Sequence, residues 1–301
     1  MTAQLTYAVV TAARNEADNL PRLAESLRAQ TLGPMRWLIV DDRSTDETPV
    51  VAGGLAAEEP WISVVQAPAQ ESEPVASGRR GVPRGAPVVR AFHVALELLE
   101  PKPSLVAKVD ADVSMEADYF ERLVEAFRHD PELGIASGSC YQLEDGHWRQ
   151  FYGTGASVWG AARAYRWRCL DQILPLEERM GWDGIDVVKA NVAGWRTAII
   201  LDLPFRHHRR EAARESGRWR AWAVQGEAAH FMGYRPSYVL ARTVFRLRRD
   251  PAAAAMLWSY LTSALHRAPR CADPAVRTYL RRAQRLRDLP ARKREAVGEA
   301  R

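Results

Sequence analysis

Apolar residues in the first two-thirds of the chain alternate between two rhythms. Short β-type runs at residues 7–11, 37–40, 62–66, 105–109 and 134–137 predict strands. Between the first two, Leu20, Leu23 and Leu27 recur at helical spacing until Gly33-Pro34 stops the pattern. A second helix is predicted over 88–99 through Phe92, Leu96 and Leu99, and a third over 117–128 with Phe120, Leu123, Val124 and Phe127 on one side. Strands that alternate with amphipathic helices predict an α/β fold around a mostly parallel sheet. Residues 67–87, rich in Pro, Gly, Ser and charge, read as a long loop, residues 156–170 as a helix and residues 197–201 as a late strand. After about residue 203 the pattern changes to Arg-rich helical segments, including 252–265 and 274–289. The chain is therefore expected to divide into a domain of residues 1–203 and a helical extension of residues 204–301.

Composition narrows this picture. With 301 residues the chain can bury a large core, and its evenly spread apolar residues exclude general disorder. Cys140, Cys169 and Cys271 lack CxxC spacing and are odd in number, which argues against a disulfide framework or a thiolate zinc site. A reducing cytoplasm is expected. The N-terminus has no basic stretch followed by an apolar one, so no signal peptide is expected. The stretch 252–265 is too short to span a membrane and is flanked by Arg248, Arg249, Arg267 and Arg270.

Charge is unevenly divided. Residues 1–200 hold 20 Lys+Arg against 28 Asp+Glu, whereas residues 201–301 hold 22 against 9. A basic tail on an acidic body points to an anionic partner such as a lipid headgroup, a diphosphate or a nucleic acid; the plain alternative is a solvated Arg-rich helical surface. No zinc-finger or RNP-like pattern is present, so no nucleic acid is expected. Peripheral contact with the inner face of a membrane is the expectation that remains.

In sheets of this kind ligands bind beyond the carboxyl ends of the strands, and here those ends are acidic. The first strand runs into Ala12-Ala13-Arg14-Asn15-Glu16, the second into Asp41-Asp42-Arg43-Ser44-Thr45-Asp46, and the fourth into Asp110-Ala111-Asp112. Carboxylates accept hydrogen bonds from a pyrimidine N–H and from sugar hydroxyls, so the first two ends can hold a base and a ribose. The alternative is capping, since Asp42 and Ser44 also make good turn residues. An Asp-x-Asp at a strand end can direct one carboxylate to a ribose and the other to Mg²⁺ or Mn²⁺, which prefer oxygen ligands and stay with diphosphates.

Taken in order, Val9-Val10-Thr11-Ala12-Ala13-Arg14-Asn15-Glu16, Leu27-Arg28-Ala29-Gln30-Thr31 and Val40-Asp41-Asp42-Arg43-Ser44-Thr45-Asp46 closely resemble the opening of glycosyltransferase family 2. The resemblance covers roughly residues 5–240. It implies a GT-A fold, a nucleoside diphosphate sugar donor, a hydroxyl acceptor and inversion at the anomeric carbon. It further implies that Ala12, Arg14, Asn15, Glu16 and Asp42 surround the donor base and ribose, with Asp110 and Ala111 beside the ribose and Asp112 on the metal. Ala12 departs from the Pro often found there, at a position where the backbone does the work.

An inverting transfer needs a base for the acceptor hydroxyl, and a carboxylate beyond the metal site suits that task. Met180-Gly181-Trp182-Asp183-Gly184-Ile185-Asp186 stands where the family usually carries a Glu-Asp pair opening a helix, and Trp182-Asp183 replaces that pair. Asp183 is the first candidate base and Asp186 the second; both can also serve only to charge a helix N-terminus. The resemblance also implies a metal-binding His in the region of Phe205-Arg206-His207-His208, with His207 first in line; adjacent side chains on a strand point apart, so only one imidazole is expected in the site. Arg84 and Arg90 flank the long loop and are candidates for the diphosphate.

A lipid-linked or surface-polysaccharide acceptor fits the basic tail. Two rivals stay open. A nucleotidyltransferase would want a Gly-bearing phosphate loop after the first strand, and Ala12–Glu16 contains no Gly. A non-catalytic binding protein would keep its activity when Asp183 and Asp186 become Asn.

Overall fold

The apolar runs at the start of the chain become parallel strands of one sheet in a computed structural model, which describes residues 5–68, 85–144, 146–151, 158–208, 217–248 and 250–285. Strands β1 (Tyr7–Ala13), β2 (Arg36–Asp41) and β3 (Ile62–Gln66) alternate with helices α1 (Leu20–Arg28) and α2 (Thr48–Glu58). Helix α3 (Ala86–Leu98), β4 (Leu105–Val109), β5 (Val113–Met115) and α4 (Tyr119–His129) follow. Next come β6 (Leu133–Glu144), β7 (His147–Gln150), β8 (Ala162–Arg166), α5 (Trp167–Ile173), α6 (Trp182–Val192) and β9 (Arg196–His207). The sheet order is β3-β2-β1-β4-β8-β6-β9-β5, with β7 beside β6. The β1–β2, β2–β3, β1–β4 and β6–β9 pairs are parallel, and β8 is antiparallel to both its neighbours.

Alternation along β1 separates two apolar layers. Tyr7 and Val9 face a layer with Leu20, Leu23 and Leu27 of α1 and Phe120, Leu123 and Phe127 of α4. Ala8 and Val10 face the other, with Phe92 of α3, Leu170 and Ile173 of α5, and Trp182 and Val187 of α6. Each large side chain buried this way is worth about 1.5–3 kcal/mol. Both faces of β1 are therefore dry, and its carboxyl end leads into the exposed Arg14 and Asn15.

The structure departs from the sequence-based expectation at several elements. Of the helix expected over 156–170, residues 156–157 lie outside the described residues, 162–166 form β8, and only 167–170 are helical. Ala162 and Ala164 are good helix formers, yet this segment fills the gap between β4 and β6, and pairing on both edges overrides propensity. The runs at 134–137 and 197–201 grow into the twelve-residue strands β6 and β9. Helix α3 begins inside the expected loop, whose residues 69–84 lie outside the described part.

Among the described residues after β9 the structure is helical: α7 (Arg218–Phe231), α8 (Pro236–Leu247), a 3-10 turn at Pro251–Ala253, α9 (Ala254–Leu265) and α10 (Pro274–Ala283). Phe231 and Met232 at the end of α7, with Val276 and Leu280 of α10, pack on Ile185 and Val188 of α6. The C-terminal helices are thus braced against α6. Among the described residues, no helix is long and apolar enough to cross a membrane.

Candidate active site

The loops after β1 and β2 are knitted together. Asn15 accepts at its side-chain oxygen from the Thr45 amide (2.8 Å), while its own amide donates to the Ser44 hydroxyl (3.0 Å). The Glu16 amide donates to the Thr48 hydroxyl (2.7 Å), and the Glu16 carboxylate accepts from the Asn19 amide group (2.7 Å). Asp41 is buried and takes the Ser44 hydroxyl, whereas Asp42 stays partly open beside Arg14 at 3.5 Å. Asn15 and Arg43 both adopt φ of 55°, a left-handed conformation that costs a non-glycine residue about 1–2 kcal/mol. Such strain at two neighbouring strand ends is a feature of binding loops. Ala12 ends this platform within β1, and Arg84 lies outside the described residues.

The putting-together of β4, β5 and β9 creates the second part of the site. Val113 of β5 pairs with His207 of β9, so the residue before Val113 is brought beside the imidazole. Asp112 Oδ1 lies 3.2 Å from His207 Nε2, and both residues are buried. Ligand atoms of Asp110, Asp112 and His207 all fall within 4.8 Å of one another. Two carboxylates and an imidazole form a donor set suited to a divalent cation such as Mn²⁺ or Mg²⁺. His208, the other histidine, is exposed, meets the Ser114 hydroxyl at 2.7 Å and stands edge-on to Trp148. Ala111, between the two aspartates, is buried in the core.

How β9 reaches this point depends on a register shift between Gly138 and Ser139 of β6. The β9 backbone closes so tightly there that a Cβ on Gly138 would lie 2.0 Å from the Leu203 carbonyl oxygen. Downstream of this irregularity, Phe205 and His207 regain pairing with β6 and β5.

A third group links the metal-type cluster to α6. Gly181, at φ 90°, makes the turn that opens α6, and Asp183 occupies its first turn, a place that suits an acidic side chain. The Asp183 carboxylate lies against Gly160. The Gly160 carbonyl in turn accepts from Lys108 Nζ (2.8 Å), and the same ammonium is ion-paired with Asp110. Asp183 is therefore separated from the Asp110 cluster by little more than one glycine and one lysine.

Asp186 has a different environment. Its Oδ2 accepts from Arg163 Nη1 (2.6 Å) and the Tyr165 hydroxyl (2.5 Å), and its Oδ1 from the Val187 amide (2.6 Å). Both Asp186 and Arg163 have fully buried side chains. Burial pushes the Asp186 carboxyl above its usual range, with Arg163 and Tyr165 pulling it back. Burial likewise pushes the Tyr165 hydroxyl upward, and the neighbouring Asp186 adds to that. Arg163 also donates to the carbonyls of Asp183 (3.1 Å), Trp159 (3.2 Å) and Val158. The guanidinium thereby fixes the start of α6 to the segment leading into β8.

Sequence reasoning passed over Lys108 and Arg163, and read Trp182 only as part of the turn before Asp183. The Trp182 ring lies 5.5 Å from Lys108 Nζ and 5.3 Å from the Arg163 guanidinium, so one indole meets both buried cations. The available signal was a charged residue in the middle of a short apolar run, Leu-Val-Ala-Lys-Val in β4 and Ala-Arg-Ala-Tyr in β8. Such a residue in a strand dry on both sides must have a buried partner.

Comparison with known proteins bears on the fold and on the first part of the chain. Residues 8–75 match the family model described as glycosyl transferase family 2. No curated protein matches the chain. Among solved structures, the mannosyltransferase PcManGT from Pyrobaculum calidifontis, in complex with GDP-Man and Mn²⁺, is similar at TM-score 0.54 and 19% identity, over 99% of this chain and 84% of that one. S. aureus TarS 1-349 in complex with UDP-GlcNAc is similar at TM-score 0.53 and 16% identity, over 98% and 79%. GalNAc-T7 with UDP, GalNAc and Mn²⁺ is similar at TM-score 0.59 and 12% identity, over 97% and 58%. The fold is that of the GT-A glycosyltransferases. The motif-bearing loops of β1 and β2 lie inside the segment that matches glycosyl transferase family 2.

Proposed function

We propose that the protein transfers a sugar from a nucleoside diphosphate sugar to an acceptor hydroxyl with inversion, using Asp183 as general base and a divalent cation at Asp110, Asp112 and His207. The observation that carries this reading is the convergence of those three ligand atoms within 4.8 Å, connected to Asp183 through Lys108 and Gly160. The acceptor oxygen attacks the anomeric carbon, the bond from that carbon to the diphosphate oxygen breaks, and the hydroxyl proton passes to the Asp183 carboxylate. The nucleoside diphosphate leaves with the electron pair. Asp183 suits this step because it is partly open, whereas the oxygens of Asp186 are engaged by Arg163, Tyr165 and Val187.

Asp112 and His207 would hold the cation, and Asp110, steadied by Lys108, would serve the cation or the donor ribose. The bound cation supplies Lewis-acid stabilisation of the departing diphosphate. An imidazole in the set favours Mn²⁺ over Mg²⁺, which takes oxygen ligands and retains its waters. Asn15 and Glu16 build the loop against which the base rests, and Asp42 with Arg14 forms its open edge. The acceptor is a saccharide or lipid-linked hydroxyl, reached by an enzyme held at an anionic membrane face through its Arg-rich helices.

A thermal-shift series with GDP- and UDP-sugars, with and without Mn²⁺, tests the reading. At a donor concentration of about 100 times Kd the stabilisation is about 2.7 kcal/mol, a readily measured rise in Tm. The expected result is a Mn²⁺-dependent rise with at least one donor that disappears in Asp112→Ala. Absence of any metal-dependent donor effect in the wild type would overturn the proposal.

A further inference from the structure

Helices α8 and α9 each bury one side and present an apolar stripe on the other. On α8 the buried residues are Tyr238, Val239 and Thr243, while Leu240, Val244 and Leu247 are exposed at i, i+4 and i+7. On α9, Ala255, Met256, Ser259 and Tyr260 are buried, while Trp258, Leu261 and Leu265 are exposed at i, i+3 and i+7. The α9 exposures are 66%, 51% and 79%, and the three side chains line up along one helix face rather than standing singly. The two helices share a small core of Val239, Met256 and Tyr260, so they form one unit.

Charge around this unit has one dominant sign. Residues 217–285 contain thirteen Arg, no Lys and three acidic residues, Glu227, Asp250 and Asp273. Asp250 is already engaged by the Trp222 indole (2.9 Å) and lies near Arg218. Helix α9 itself has no charged residue, and the segment before it carries Arg246 and Arg248 while the one after it carries Arg267 and Arg270. An uncharged stripe with an indole on it, bracketed at both ends by guanidinium groups, has the composition of a helix lying in the plane of a lipid interface. Neither helix can span the bilayer.

We propose that the exposed face of α8 and α9 docks on an anionic lipid bilayer, with Leu240, Val244, Trp258, Leu261 and Leu265 entering the headgroup boundary and the flanking arginines meeting lipid phosphates. A second copy of the chain fits this face less well, because a two-fold contact would set one arginine-rich segment against another. The inference sharpens the membrane-face reading above and does not rest on the transfer chemistry, since binding is read without donor or metal.

The test is co-sedimentation of the full chain with vesicles of phosphatidylcholine alone and of phosphatidylcholine with about one-third phosphatidylglycerol, alongside sedimentation equilibrium without lipid. Binding to the anionic vesicles is expected, with little to the neutral ones. The double variant Leu261→Glu, Leu265→Glu should lose binding by about tenfold or more, and Arg267→Gln and Arg270→Gln by about fivefold each, with weaker effects in high salt. Because every substituted residue is exposed, Tm and donor-induced stabilisation should stay at wild-type values in these variants. Equal binding to both vesicle types, no binding, or an unaffected double variant would each overturn the proposal. A dimer that dissociates in the double variant, without vesicle binding, would assign the face to a second copy instead.

Discussion

Asp183 and Asp186 share α6, yet burial gives them different chemistry. Asp183 touches Gly160 at the edge of the candidate site, while Asp186 neutralises a guanidinium with no exposed surface. Asp183→Asn should lower turnover by about 10²–10⁴-fold, the usual contribution of a positioned base, with donor binding and Tm near wild type. Asp186→Asn should instead strand Arg163 without its counter-ion, and breaking such a pair costs about 3–5 kcal/mol. Turnover per folded molecule and urea midpoints, measured on both variants, separate the two roles. A large turnover loss at full stability in Asp186→Asn would reverse the assignment. The sequence made the acidic strand ends and the Gly-Trp-Asp turn visible, because turn residues and carboxylates announce themselves locally. It could not distinguish the two aspartates, since what separates them is Arg163 and Tyr165 on a strand some twenty residues away.

Strand β9 shows the same limit at the scale of elements. The runs that became β1 to β4 and the stripes that became α1, α3 and α4 were legible, because each repeats an apolar period within a dozen residues. Only the first half of β9 was visible, for its far end pairs across an irregularity that no local period encodes. Strand β8 read as helix for the related reason that its neighbours, not its residues, make it a strand. The close approach at Gly138 gives a direct prediction. Gly138→Ala would set a methyl 2.0 Å from the Leu203 carbonyl and 2.8 Å from the Tyr119 ring, so β9 must shift. A stability loss of about 1–3 kcal/mol is expected, as for other overpacked interiors. Because His207 lies downstream on the same strand, the Mn²⁺ dependence of donor stabilisation should weaken as well. Gly53→Ala, in α2 with open space around the added methyl, serves as the control and should leave Mn²⁺ dependence unchanged.

At the scale of the whole molecule, the loops after β1 and β2 and the candidate base hang on different supports. Asn15, Glu16 and Asp42 sit at the ends of β1 and β2, held by one another and by the sheet. Asp183 is carried by α6, whose outer side, Ile185 and Val188, is covered by Phe231, Met232, Val276 and Leu280 from the C-terminal helices. The change from acidic body to Arg-rich tail was readable in the sequence; this bracing was not, since it rests on contacts between segments about forty-five to ninety residues apart. If the bracing positions Asp183, loosening it should damage transfer more than donor binding. Leu280→Ala removes a buried side chain from the far side of that contact and should cost about 2 kcal/mol, the lower end for leucine truncations. Donor affinity, read from Mn²⁺-dependent thermal shifts, should remain within about twofold of wild type, because this variant leaves β1, β2 and β4 untouched. Turnover at saturating donor should fall by about tenfold or more, since a displacement of about 1 Å at a reacting group can cost as much as a hundredfold. Equal losses in affinity and turnover would mean that the helices support the fold as a whole; unchanged turnover would mean that α6 holds Asp183 through Arg163 and Trp182 alone.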